Sequence, residues 1–221
     1  VADFTRHYFG LSGPAAVVSS ACSSSAKVFS SVRRMMAAGL IDAAVVGGVD
    51  SLCLTTLYGF NSLGLMSDQA CRPFDPERKG ISIGEAAAFA LLERAPDQLN
   101  ADAVLLLGTG ESSDAYHVSA PDPDGHGAEI AMRAALADAG LAPQAVDYVN
   151  LHATATPKND AMESLVLDRV FPQGVACSGT KPYCVLGECR QCAASENCLC
   201  GLTCRDGACA SCIEDAECPA S

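Results

Sequence analysis

The chain has no long hydrophobic run, a shortage of positive charge and, over most of its length, few cysteines. Its richest apolar stretches, such as Ala86 to Leu92, fall far short of the about 20 residues that a membrane-crossing helix takes, so no span is expected. Lys and Arg number 14 against 26 Asp and Glu, for a formal charge of −12, which argues against a phosphate-backbone partner such as nucleic acid. The start, Val1 to Arg6, has neither a charged region followed by an apolar core nor an initiator methionine. The expectation is a cytoplasmic protein, and a chain that is a piece of something longer. Only 18% of the residues are charged and 49% are hydrophobic, a balance that excludes a disordered segment. At 221 residues the chain exceeds one average domain and is too short for two large ones.

The cysteines divide the chain. Of 13, only Cys22, Cys53, Cys71 and Cys177 precede residue 184, and nine lie between Cys184 and Cys218. The expected division is therefore residues 1–183, with the composition of an intracellular enzyme, and residues 184–221, with the cysteine density of a disulfide scaffold or metal module. In the second part Cys184-x4-Cys189-x2-Cys192-x5-Cys198 recurs as Cys204-x4-Cys209-x2-Cys212-x5-Cys218, every cysteine displaced by 20 residues, with Gly187 and Gly207 also matching. Cys200 stands outside the repeat. Four cysteines per unit can close two disulfides or hold one zinc ion. One C-x2-C knuckle per unit, where zinc modules usually carry a pair, favours disulfides.

Within 1–183 the periodicity alternates. Ala15 to Val18 reads as a short buried strand, followed by a helix with Val28, Val32 and Met35 on one stripe before Gly39. Ala43–Val49 and Ala86–Leu92 are continuous small-apolar runs, expected to be strands covered on both faces. Ala103–Leu107 and Val146–Leu151 read likewise. A helix is expected over about Ala128–Ala139, closed by Gly140, and another over about Asn159–Val170 with Met162, Leu165 and Val166 inward. Alternating strands and helices argue for an α/β layered core.

Cys22 lies in Ser19-Ser20-Ala21-Cys22-Ser23-Ser24-Ser25, at the turn from the first strand into the first long helix. A thiol there meets the positive end of the helix dipole and unpaired N–H groups, which favour a thiolate and can hold an oxyanion at the carbon it attacks. Taken alone, such a cysteine is more often structural than nucleophilic.

Five blocks carry a resemblance. Gly13-Pro14 through Ser19-Ser20-Ala21-Cys22-Ser23-Ser24 is the first, and Val45-Val46-Gly47-Gly48-Val49-Asp50 the second. The third is Arg72-Pro73-Phe74-Asp75 through Arg78-Lys79-Gly80 to Gly84-Glu85. The fourth is Asp114-Ala115-Tyr116-His117 with Ala120-Pro121, and the fifth Leu151-His152-Ala153-Thr154-Ala155-Thr156-Pro157 with Asn159-Asp160 and Glu163. In order and spacing these resemble the β-ketoacyl synthases, condensing enzymes of fatty acid and polyketide assembly with the thiolase fold. The resemblance covers about residues 1 to 183.

The resemblance implies a thiolase-like layered α/β fold, here incomplete, and a 3-oxoacyl-[acyl-carrier-protein] synthase-like acyltransferase. Cys22 would take an acyl group from a carrier thioester, and decarboxylation of a malonyl thioester would supply the carbanion that attacks it. His152 would donate a hydrogen bond to the malonyl thioester oxygen as enolate charge develops. Lys181, in Gly179-Thr180-Lys181-Pro182-Tyr183, matches the family lysine that supports this cluster. Acyl carrier protein is the implied partner and a homodimer the implied assembly. The chemistry calls for no cofactor and no metal ion. Arg72, Asp75, Arg78 and Glu85 are expected to brace the structure.

This sequence also departs from the family. Where a Gly-His pair follows the lysine by four and five residues, Val185 and Leu186 stand here, so the second histidine is missing and decarboxylation is expected to be impaired. Ala153 replaces the usual glycine, which is tolerable if its φ is negative and strained otherwise. The later glycine-rich loop and most of the half that precedes the cysteine block have no counterpart, so uncovered strands and self-association are expected. The alternative is a non-catalytic binding or structural protein whose functional module is the cysteine-rich tail, or a join of unrelated stretches near Tyr183.

Overall fold

The computed structural model describes residues 1–175 with their side chains and, by backbone alone, 176–177 and the four tail strands given below. These residues form mixed α/β structure in two compact units, 1–56 with 84–109, and 57–83 with 110–221.

In the first unit, α1 (Ala2–Tyr8) precedes a stretch without regular structure, and α2 runs Ser24–Ala37. No glycine or proline interrupts α2, and Val32 is buried with Val28 and Met35 half-buried along the expected stripe. Gly39, at φ 70°, takes the left-handed position after the helix, its N–H donating to the Met36 carbonyl while Leu40 N–H reaches back to Met35. The antiparallel pair β1 (Ala43–Asp50) and β2 (Ala86–Glu93) follows, in register from Ala43 opposite Glu93 to Asp50 opposite Ala86. Helix α2 packs on β1.

Two expectations fail in this unit. Ala15–Val18 is neither paired nor buried, Val17 being 71% exposed. A strand needs a neighbour to hydrogen-bond, and among the described residues this segment has none. Nor are β1 and β2 covered on both faces: Val46 is buried, but β2 is exposed along nearly all of its length. Small-apolar composition marks a capacity for burial and does not supply the covering layer.

The second unit holds the core. Most of helix α3 (Leu54–Ser62) belongs to it by sequence, and α4 (His126–Ala139) and α5 (Pro157–Val170) pack on one another. Phe74, Leu151, Met162, Val166, Leu167, Val170, Phe171 and Val175 bury together. Gly140, at φ 65°, closes α4 as expected. Gly125, at φ 68°, opens it. An added Cβ there would strike Val166 of α5, so glycine lets the two helices meet. Leu165 is exposed, contrary to expectation, and Leu167 takes the inward position. Ala103–Leu107 forms no strand, and of Val146–Leu151 only β3 (Tyr148–Val149) pairs.

β3 runs parallel to β4 (Val175–Cys177), which pairs antiparallel with β5 (Tyr183–Val185) and through it with β6 (Glu188–Arg190). The last two strands, β7 (Leu202–Arg205) and β8 (Ala208–Ser211), form a separate antiparallel pair.

Candidate active site

Cys22 stands just before Ser23, the cap of α2, with its thiol exposed. The turn that presents it is strained. Ala21 has φ 52°, a left-handed conformation that costs a residue with a Cβ roughly 1–2 kcal/mol. Three serines hold it. Ser20 N–H donates to Ser24 Oγ at 2.8 Å, Ser24 Oγ–H donates to the Ala21 carbonyl at 2.7 Å, and Ser23 Oγ–H donates to the Ser20 carbonyl at 2.9 Å. Behind the turn a Cβ on Gly48 of β1 would collide with Ser25 Oγ, so that glycine lets the first turn of α2 settle against the strand. The run of small residues around Cys22 is thus the material of a tight, serine-braced turn at a helix N-terminus, where the dipole favours negative charge on an attacking sulfur or on an oxyanion.

A second cysteine, unassigned from sequence, lies in the same unit. Cys53 is exposed, and its sulfur lies 3.1 Å from the Thr56 hydroxyl. That hydrogen bond, with the Thr56 backbone N–H, draws the Cys53 thiol below its usual pKa.

In the second unit His152 is exposed, following the buried Leu151. Its backbone is fixed from α5. Glu163, buried, accepts the N–H of His152 at 2.7 Å and of Ala153 at 2.8 Å through its two oxygens, and Asn159 donates its side-chain amide to the same carboxylate at 2.9 Å. Ala153 and Ala155 have φ of 50° and 59°, so the alanine at the family's glycine position does sit in the strained region. Cys71 reaches the same loop, its thiol 3.6 Å from the Thr154 carbonyl.

Asp160, next along α5, is 1% exposed. It accepts the Phe74 N–H at 2.8 Å, holding that residue at φ 61°, and faces Arg78 Nε at 3.2 Å. The Arg78 guanidinium also donates to the Asp75 carbonyl at 2.9 Å. In the first unit Glu85 accepts the Leu52 N–H. Arg78 and Glu85 thus hold backbone groups, as do Arg72, which donates to the Glu77 carbonyl, and Asp75, whose carboxylate accepts the Glu77 N–H at 2.7 Å.

The roles of Asn159, Asp160 and Glu163 were not read from sequence, though all three lie in the fifth block. A signal was present: carboxylates at 160 and 163 share a helix face with Met162 and Val166, and a polar side chain on a buried face is there for a partner.

Beside α5 a cavity of about 650 Å³ is lined mainly by apolar groups, among them Tyr116, Pro121, Pro157, Met162 and Leu165, with Lys158 as the charged lining residue. Asp122, Asp124 and His126 gather their ligand atoms within 4.8 Å of one another. That cluster is a helix entry. Asp122 accepts the N–H of Asp124 and of His126, and its carboxylate contacts His126 Nδ1 at 2.7 Å. Lys181 lies outside the described residues.

Comparison with known proteins settles the family. Residues 1–98 match the beta-ketoacyl synthase N-terminal domain and residues 103–190 its C-terminal domain. The chain belongs to the β-ketoacyl synthase family. Nodulation protein E of Rhizobium meliloti is 40% identical over 166 residues, covering 73% of this chain and 41% of that protein. The mitochondrial 3-oxoacyl-[acyl-carrier-protein] synthase of Arabidopsis thaliana is 37% identical over 186 residues, covering 79% and 40%. Among solved structures, a ketosynthase in complex with its chain length factor from Xenorhabdus doucetiae superposes with a TM-score of 0.76 at 44% identity, over 85% of this chain and 47% of that one. The β-ketoacyl synthase fold, thiolase-like and α/β, is therefore the fold of this chain, which spans about two fifths of the length of these curated relatives.

Proposed function

We propose that the protein carrying this chain is a 3-oxoacyl-[acyl-carrier-protein] synthase, joining an acyl thioester to a malonyl thioester by decarboxylating Claisen condensation. The observation that carries the reading is Cys22 on its strained, serine-braced turn at the head of α2. The thiolate displaces the carrier thiol from the acyl thioester, leaving an acyl-Cys22 thioester. Loss of carbon dioxide from the malonyl thioester then gives an enolate, and attack of its carbon on the acyl carbonyl expels Cys22 as thiolate. His152 donates to the enolate oxygen from a backbone held by Glu163, and Lys181 supports that group. Acyl carrier protein presents both thioesters, and the working assembly is a homodimer.

Leu186 replaces the second histidine, and leucine can neither donate nor accept a hydrogen bond. Removing one such donor typically costs about 100- to 1,000-fold in rate, so the chain keeps acyl transfer and loses most condensation. The division into a condensing-enzyme part, 1–183, and a cysteine-rich part, 184–221, belongs to the same proposal. β5, which begins at Tyr183, pairs antiparallel with β4 across that division.

Mass spectrometry after incubation with an acyl thioester tests the nucleophile. The expected adduct maps to Cys22, is lost in Cys22→Ala and persists in Cys53→Ala, while malonyl thioester yields little 3-oxoacyl product. An adduct on Cys53 or the tail that is indifferent to Cys22→Ala overturns the assignment and favours the non-catalytic reading. Efficient condensation overturns the impairment ascribed to Leu186.

A further inference from the structure

We propose that Cys184 with Cys189, and Cys204 with Cys209, form two equivalent cross-strand disulfides, one in each unit of the tail repeat. The ladder register places Cys184 opposite Cys189 in the β5–β6 pair and Cys204 opposite Cys209 in the β7–β8 pair. Both pairs stand at the same point of the hydrogen-bond pattern. Val185 opposes Glu188 across a two-residue connection, and Arg205 opposes Ala208 across another. With only two residues between them, these closing pairs must be the ones that exchange both backbone hydrogen bonds, because no pair exists further in to carry them.

Antiparallel ladders alternate, so the next pair outward, which in each hairpin is the cysteine pair, is the non-hydrogen-bonded one. At that position opposed Cα atoms lie about 4.5 Å apart, inside the range of about 4.4–6.8 Å that a disulfide spans. At the hydrogen-bonded position the spacing is wider, about 5.5 Å. One coincidence of this kind is weak. Two, displaced by the 20 residues of the repeat and each with glycine as the second connecting residue, make the cysteine pair the repeated feature of the unit.

The two hairpins differ in setting. β5 also pairs with β4, Val175 opposite Cys184, so the first bond would staple the edge of the sheet that contains β3 and β4. The second hairpin stands in its own two-stranded sheet, and a lone hairpin is marginal in water without a cross-link. In forming each bond two thiols lose their protons and two electrons. A disulfide oxidant such as oxidised glutathione takes both and leaves as two molecules of reduced glutathione.

The test is thiol mapping on the full chain equilibrated in oxidised and reduced glutathione, with remaining thiols alkylated before digestion. Glutamyl endopeptidase cuts after Glu188, between Cys184 and Cys189, and trypsin cuts after Arg205, between Cys204 and Cys209. Each bond therefore holds two peptides together until reductant is added. The expected result is both linked pairs, with Cys184→Ser exposing Cys189 to alkylation and leaving the Cys204–Cys209 link intact. Links from these cysteines to Cys192, Cys198, Cys212 or Cys218 overturn the proposal. So do four alkylated thiols in the most oxidising buffer, or zinc that a chelator releases together with those thiols.

Discussion

Three alanines at left-handed φ define the loops of the two candidate site residues, Ala21 before Cys22 and Ala153 and Ala155 after His152. The resemblance identified the positions, and no pattern in the sequence could give the sign of φ at Ala153, because Glu163, ten residues on, fixes that turn. The same distance in sequence hid Glu163 itself, whose block was visible and whose partners were not. Ala153→Gly removes a clash worth roughly 1–2 kcal/mol and returns about 0.4–1 kcal/mol of unfolded-chain entropy. Net stabilisation of about 0.5–1 kcal/mol is expected, read as a higher midpoint in denaturant titration with unchanged slope. Ala155 is the internal control. Its methyl is fully buried, so Ala155→Gly also gives up about 0.8 kcal/mol of burial and should gain nothing.

Helices were more legible than strands, because the marks of a helix are local. The Val28, Val32 and Met35 stripe and the glycines at 39 and 140 lie within the segments they define, whereas Ala15–Val18 and Ala103–Leu107 needed neighbours that their own residues do not specify. What locks α4 to α5 is equally non-local. Glu129 accepts Arg133 Nε at 2.8 Å along its own helix and faces Arg169 of α5 at 3.4 Å, while Arg169 also donates to the Asp124 carbonyl at 2.6 Å. The Arg133 hydrogen bond first, and Arg169 next, hold the Glu129 carboxyl below its ordinary pKa; Asp122, bonded to His126, is lowered likewise. A depressed folded-state pKa gives stability that is present above the unfolded value and lost as pH falls through the folded one. The helix pair should therefore weaken as pH drops below the ordinary carboxylate range. Glu129→Gln should cost about 0.5–1 kcal/mol at neutral pH and flatten that acid dependence, measured as denaturation midpoint against pH.

At the scale of the whole molecule, apolar exposure is the feature that composition did not reveal. A hydrophobic fraction of 49% promises burial, yet Phe89 and Leu91 on β2 are 53% and 61% exposed, and Val104 is 97% exposed in the run after β2. Leu105, Leu106 and Leu107 extend that run, also exposed. Consecutive exposed apolar residues and a two-stranded ladder with open edges are the two ingredients of association, an apolar surface and backbone groups able to accept another strand. Burial of such side chains yields about 25 cal/mol per Å², so covering several of them in a self-associated form outweighs the loss of independent motion once the concentration is high enough. The charge of −12 opposes this at low ionic strength, and salt removes the opposition. The purified chain should therefore associate more strongly with rising concentration and with rising salt, read by light scattering behind size exclusion. Leu91→Lys with Val104→Lys should shift it toward monomer under both conditions, since each puts a solvated charge on the surface that would be covered. A compact monomer at all concentrations, with a cooperative melt and no response to salt, would show that this surface is tolerated in solution and that the exposed run does not drive assembly.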